Sequence, residues 1–193
     1  MVDKQNTYLS GHLLIATPAI GDERFDRTVI YICAHDPEGA MGIVLNKPSA
    51  EVTFKNLLEN LEIKSDIKVS KEIEKMPIFA GGPVDTSRGF LVHSQDFHHK
   101  STITVQDEIS VTGTLEGIAA LSDNKPPMNM LFALGYAGWT AGQLENEVKK
   151  NAWLTVKATP ELVFFEKTGE LWNKSLEAIG ITAAQLSSLS GQA

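Results

Sequence analysis

One cysteine in 193 residues excludes a disulfide within the chain and a metal site built on cysteine thiolates. That residue, Cys33, stands in "VIYICAH", an apolar run that reads as a buried strand. Its thiol is therefore expected to pack in the core rather than act as a nucleophile. Basic charge is scarce as well: 17 Lys and Arg against 24 Asp and Glu leave a formal net charge of −7. Lys149-Lys150 is the only adjacent basic pair, so direct nucleic-acid binding, which normally uses a basic face, is disfavoured. Long apolar runs are absent too. The opening "MVDKQNTYLSGHLLIATPAIG" has one lysine beside an acid and a short apolar stretch broken by Pro18. It fits neither a secretory signal nor a membrane span, so a cytoplasmic protein without a membrane partner is expected. There is no G-x-S-x-G elbow, no H-E-x-x-H zinc helix and no P-loop. Acidic residues are spread along the chain without a marked acid–base pair. No residue set calls for a metal or a cofactor.

What is present is ordinary globular material, 42% hydrophobic and 21% charged. The length suits one sizeable core, and one domain over residues 1–193 is expected, with a frayed tail from about 186. Short Val-, Ile-, Leu- and Phe-rich runs bounded by Gly, Pro, Asp or Asn read as strands. They are "GHLLIATP", "TVIYICAH", "AMGIVLNK", "MPIFAGGP", "GFLVHS", "STITVQ", "EISVTG", "MNMLFAL", "AWLTVKA" and "LVFFEK". "PEGA" between the second and third predicts a hairpin. Helical spacing appears over 53–61, 114–124, 143–151, 169–180 and 182–189. Many strands with few, scattered helices do not follow strict β-α alternation. The pattern predicts an α+β fold with a mixed, partly barrel-like sheet.

Three stretches are candidates for chemistry. In the first, "DERFDR" concentrates Asp22 and Arg24 among other charges before the second strand. Such a loop either binds a ligand or is a salt-bridged connection. If the hairpin forms, His35 lies at its turn end and Asn46 falls back at the "DERFDR" end. In the second, Gly81-Gly82-Pro83 either exposes backbone amides to an oxyanion or makes a turn. Arg88 offers a fork for a carboxylate or phosphate, and His93 lies in the strand that follows. His98-His99 reads as a solvated loop, since adjacent residues point apart. The third is "ALGYAGWTAGQLENEVKKNAWL", residues 133–154. The spacing of Gly135, Gly138 and Gly142 matches no phosphate-binding fingerprint. Thr140 as N-cap with Gln143 as its partner explains the helix without a ligand, so this stretch reads as packing and a site is expected elsewhere.

Taken together, these stretches resemble the AlgH/YqgE family of bacterial proteins. The resemblance runs from Gly11, Leu14, Ala16 and Pro18 through Asp22, Phe25, Val29 and His35. It continues with Gly39-Ala40, Gly42, Asn46, Gly81-Gly82-Pro83-Val84 and His93-Ser94. Its last block is Gly135, Ala137-Gly138-Trp139, Gln143-Leu144, Glu147, Asn151 and Trp153-Leu154. It implies a bifurcated sheet that includes a small β-barrel, surrounded by helices. It implies no reaction, and one branch carries a name linked to transcriptional regulation of alginate production. With a net charge of −7 and no helix-turn-helix, any such effect is expected to be indirect. The leading expectation is a non-enzymatic binding or regulatory module that meets a small anion or a protein partner. Its residues would be Asp22, Arg24, His35, Asn46, Gly81, Gly82, Arg88 and His93. The alternative is a hydrolase or transferase acting on an anionic small molecule, with His35 or His93 as base and Arg24 or Arg88 on the anion.

Overall fold

The computed structural model describes residues 8–53, 70–106, 108–113 and 126–189. Its framework is a mixed sheet of ten strands. In chain order they are β1 (His12–Ala16), β2 (Val29–Asp36), β3 (Gly39–Val44), β4 (Pro48–Thr53), β5 (Pro77–Ala80), β6 (Val84–Ser94), β7 (Thr102–Gln106), β8 (Ile109–Gly113), β9 (Met130–Thr140) and β10 (Trp153–Lys157). The order across the sheet is β10-β1-β2-β3-β9-β6-β8-β7, with β5 joining β9 in parallel and β4 beyond it. The predicted hairpin forms: β2 and β3 pair antiparallel, with Asp36 opposite Gly39.

The branch point is β9. Its first half pairs with β5 and β6, and its last residues, Ala137 to Thr140, pair with β3. Two glycine contacts let this happen. Gly81 passes so close to β9 that its amide donates to the Leu134 carbonyl at 2.7 Å. A Cβ on Gly81 would fall on the Gly135 carbonyl, and one on Gly82 on the backbone of Tyr136. Gly135 itself has φ +73°, a conformation open to glycine. The close approach is at Gly135, and β9 continues past Leu134, where the predicted strand "MNMLFAL" stops, to Thr140. The sheet also curls. The Tyr31 hydroxyl on β2 donates to the Ile109 carbonyl of β8 at 3.4 Å, so strands far apart in the order meet across a half-barrel.

The central strands are covered on both faces, which explains why β2 reads as one apolar run. Leu13, Ile15, Val29 and Tyr31 face one core cluster, and Leu14, Ala16, Ile30 and Ile32 the other. Helices among the described residues are short: α1 (Lys71–Glu74), α2 (Gln143–Lys149), α3 (Leu171–Glu177) and α4 (Ala183–Leu189). The helices expected over 53–61 and 114–124 fall, but for Thr53 at the end of β4, outside the described residues. The first core cluster is closed by Leu171, Trp172 and Leu176 of α3 and Leu186 of α4. Thr182 starts α4 as expected, its amide and hydroxyl donating to the Gln185 side chain at 2.7 and 3.0 Å. Residues 186–189, expected within a frayed tail, belong to this helix.

Two local expectations need correction. "LVFFEK" is not a strand: Glu161–Phe165 forms a π-helical turn after Pro160, whose backbone is already helical (φ −53°, ψ −36°). A short apolar run cannot be told from a buried helical segment by periodicity. The N-cap of α2 is Gly142 (φ +74°), not Thr140, which is still the last residue of β9. Gln143 nevertheless reaches back, its side-chain oxygen accepting from the Thr140 amide at 3.1 Å.

Candidate functional site

Strands β9 and β10 run parallel with β3, β2 and β1 between them, and α2 crosses that face from one to the other. Trp139, next to last in β9, lies opposite Ala40, and Trp153 opens β10 opposite Ala16. Both indoles are nearly buried and meet edge to face, centroids 6.1 Å apart. An indole N–H buried without an acceptor costs about 1–3 kcal/mol. One side chain satisfies both: Glu147 Oε2 accepts from Trp139 Nε1 at 2.9 Å and from Trp153 Nε1 at 2.8 Å. Its other oxygen accepts from Gln143 Nε2, one turn earlier on α2, at 2.9 Å. A single carboxylate thus ties the helix to two distant strands.

Beside this clasp lies a cavity of about 340 Å³. The rings of Phe25, Trp139 and Trp153 and the side chains of Ile20 and Val84 supply its apolar walls. Phe25 packs edge to face on Trp153, centroids 5.8 Å apart. Glu147 and Gln143 form part of the lining, and three charged groups stand around it: Asp22, Arg24 and Lys150. Asp22 caps the short 3-10 turn Glu23–Phe25 and binds Arg24 through Nε and Nη2, the shortest contact being 2.6 Å. Hydrogen bonds from the Arg24 side chain, then from its backbone, hold the Asp22 carboxyl below its ordinary value. Guanidinium carries five N–H groups, so three remain for a ligand. Lys150 makes no ion pair among the described residues.

Of the eight candidate ligand-binding residues, only Asp22 and Arg24 line this cavity. His35 is buried at the far end of the hairpin. The Leu9 amide donates to its Nδ1 at 2.9 Å, which leaves the ring proton on Nε2, 3.3 Å from Glu145 Oε1. Asn46 closes the opposite end: its side-chain oxygen accepts from the Val29 amide at 2.9 Å and its amide donates to the Arg27 carbonyl at 2.8 Å. Gly81 and Gly82 form the crossing under β9, although Pro83 and Val84 just beyond reach the cavity. Arg88 sits in a bulge of β6, where Val84 pairs with Tyr136 and Gly89 with Leu134. Its guanidinium lies over the Phe90 ring at 5.3 Å.

His93 is fully buried on β6 in a chain of hydrogen bonds. The His99 amide donates to Thr102 Oγ1 at 2.8 Å, and Thr102 and Thr112 hydroxyls meet at 2.7 Å. Thr112 meets His93 Nε2 at 2.8 Å, and Nδ1 meets the Ser94 carbonyl at 2.8 Å. Because Ser94 O can only accept, Nδ1 carries the proton, Nε2 accepts, and every bond runs one way through a neutral ring. Burial pushes His93 below its ordinary value of 6.5. The unfolded chain then binds more protons, so this contribution to stability is complete above pH 6.5 and is lost as pH falls towards the lowered folded value. Urea unfolding at pH 7.5 and 5.0 should show a larger acid loss for the native chain than for His93→Gln. An equal loss in both would remove His93 as its source.

The residues that shape the cavity but are not among the candidate ligand-binding residues are Glu147, Trp139, Trp153, Gln143, Phe25 and Lys150. All fall in motifs of the family resemblance except Lys150. The AlgH-like family model, DUF179, matches residues 13–184. The chain belongs to the AlgH-like family. It is 46% identical to a UPF0301 protein of Methylobacterium nodulans, covering 97% of this chain and 91% of that one. It is 44% identical to a UPF0301 protein of Bradyrhizobium diazoefficiens, over 96% and 89% of the two chains. The solution structure of the AlgH protein from Pseudomonas aeruginosa superposes with a TM-score of 0.79 at 36% identity, covering 100% of this chain and 98% of that one. A Corynebacterium diphtheriae protein, DIP2367, shares the fold with a TM-score of 0.67 at 22% identity, over 88% and 86% of the chains. Among the described residues of this AlgH-like chain, no group of three or more His, Cys, Asp or Glu is placed to hold a metal ion. No helix among them is long and apolar enough to cross a membrane.

Proposed function

We propose that this AlgH-like chain is a binding module whose ligand is a small anion carrying a flat apolar part, seated in the cavity braced by Glu147. The observation that carries this reading is the juxtaposition of an aromatic wall held rigid by one carboxylate with two cationic groups, Arg24 and Lys150. Pre-formed apolar walls with a few placed polar groups are the usual make-up of a small-molecule site. Regulation through such a ligand, without contact to DNA, agrees with a net charge of −7. The hydrolase or transferase reading has less support. His35 and His93 each turn both ring nitrogens to protein partners, and neither lines the cavity.

Thermal unfolding with salicylate, indole-3-carboxylate, adenosine monophosphate and a wider metabolite panel tests the proposal. A ligand at 100 times its Kd adds about 2.7 kcal/mol to folding stability, which is roughly 5–10 °C in Tm for a chain of this size. Arg24→Ala should weaken the ligand found by about tenfold, as expected for losing a hydrogen bond to a charged group. A panel that leaves Tm unmoved at millimolar concentration sinks the reading.

A further inference from the structure

A second cavity, of about 420 Å³, opens on the other side of the Pro18-Ala19 turn. Its walls are Pro18 and Ala19, Leu154 on β10, Ile181, and Leu186 on α4. Among the described residues, Lys150 is the only charged one in its lining. Thr17, also in the lining, is spent within the protein: its hydroxyl donates to the Asn151 carbonyl at 2.6 Å and accepts from the Ala19 amide at 3.1 Å. The polar edge is thus formed by Lys150 and the exposed side chain of Asn151, both at the end of α2. Asn151 has φ +56°, which turns the chain sharply out of the helix. The amides of Lys150, Asn151 and Ala152 donate to the carbonyls of Asn146, Val148 and Glu147. The negative end of the helix is muted by these bonds.

We infer that this second cavity binds an apolar chain bearing a single anionic head, with the chain against Leu154, Ile181 and Leu186 and the head on Lys150 and Asn151. The apolar walls select a hydrocarbon, and an ammonium without an ion-pair partner among the described residues selects a carboxylate or another monoanion over a neutral or cationic head. This site is separate from the cavity braced by Glu147, although Lys150 and Ala19 border both.

Methyl and amide NMR on the full chain, titrated with decanoate and with decan-1-ol below their aggregation limits, tests the assignment. Decanoate should saturate and shift Leu154, Ile181 and Leu186, with decan-1-ol roughly tenfold weaker or worse, as the loss of a charge-assisted hydrogen bond requires. Lys150→Met, a surface change compatible with folding, should erase that preference for the acid. Ile181→Trp should fill the cavity and abolish both. Arg24→Ala, which acts only on the first cavity, should leave decanoate binding unchanged. Equal binding of acid and alcohol, or shifts that centre on Trp139 and Trp153, would overturn the assignment. A first cavity without a ligand, alongside saturating decanoate shifts at Ile181, would refute the proposed function and leave this inference standing.

Discussion

Replacing Glu147 with alanine should lower the unfolding free energy by about 2–4 kcal/mol, read as a shift in the urea midpoint. Two indole donors lose the carboxylate oxygen they share, at 2.9 and 2.8 Å, and both rings are nearly buried. Each unsatisfied donor costs about 1–3 kcal/mol, and water entering from the adjoining cavity offsets part of that. Glu147→Gln should cost less, roughly 1 kcal/mol. Its carbonyl oxygen can still accept both indoles. Its new N–H group, however, faces the Gln143 amide, which must turn over and so release the Thr140 amide it now accepts from. A loss near zero for Glu147→Ala would mean that the indoles find other acceptors and that the clasp is incidental.

A still larger effect is expected at the glycine crossing. Gly82→Ala places a Cβ on the Tyr136 backbone at φ +153°, a conformation that side chains rarely adopt. The clash is with main chain, so no rotamer relieves it. Backbone strain and overpacking each contribute about 1–3 kcal/mol, so a loss of about 4 kcal/mol or insoluble protein is the expected result. Gly21→Ala is the control. Gly21 also has positive φ, +68°, but a Cβ there meets nothing within 4 Å, so only the conformational strain remains. Similar losses at both positions would show that the crossing is looser than described.

These two residues also mark where the sequence was legible and where it was not. Strands β1, β2 and β3 are short apolar runs ended by Pro18, Pro37 and Asn46, and local pattern alone finds them. The hairpin and α2 follow from local grammar as well. Gly135 misleads the same reasoning, because a glycine after "LFAL" looks like a strand end. It is instead the close approach that lets β9 continue to Thr140. Once β9 is cut short, Trp139 becomes a loop residue and Glu147 an exposed helical one, and the cavity disappears from view. Asp22 and Arg24 were visible as a charged loop. Trp139, Gln143, Glu147, Lys150 and Trp153 come from segments more than a hundred residues later, brought together by a strand order that no local signal encodes. In the sequence His93 stands only as a histidine at the end of an apolar strand, "FLVHS". Its threonine partners lie on β7 and β8, so its role as a neutral link could not be read from its own strand.

The cavity braced by Glu147 is the proposed seat of a small anion, and its two indoles can report on it. The chain has three tryptophans, and each indole N–H donates in a defined place. Those of Trp139 and Trp153 meet Glu147, and that of Trp172 meets the Ala16 carbonyl at 2.9 Å on the other side of the sheet. Indole N–H signals, assigned with single Trp→Phe variants and followed while an anionic ring compound that raises Tm is added, test the claim directly. The account predicts that Trp139 and Trp153 shift together and saturably while Trp172 stays in place. A saturable ligand that moves Trp172 and leaves the other two unchanged would contradict it.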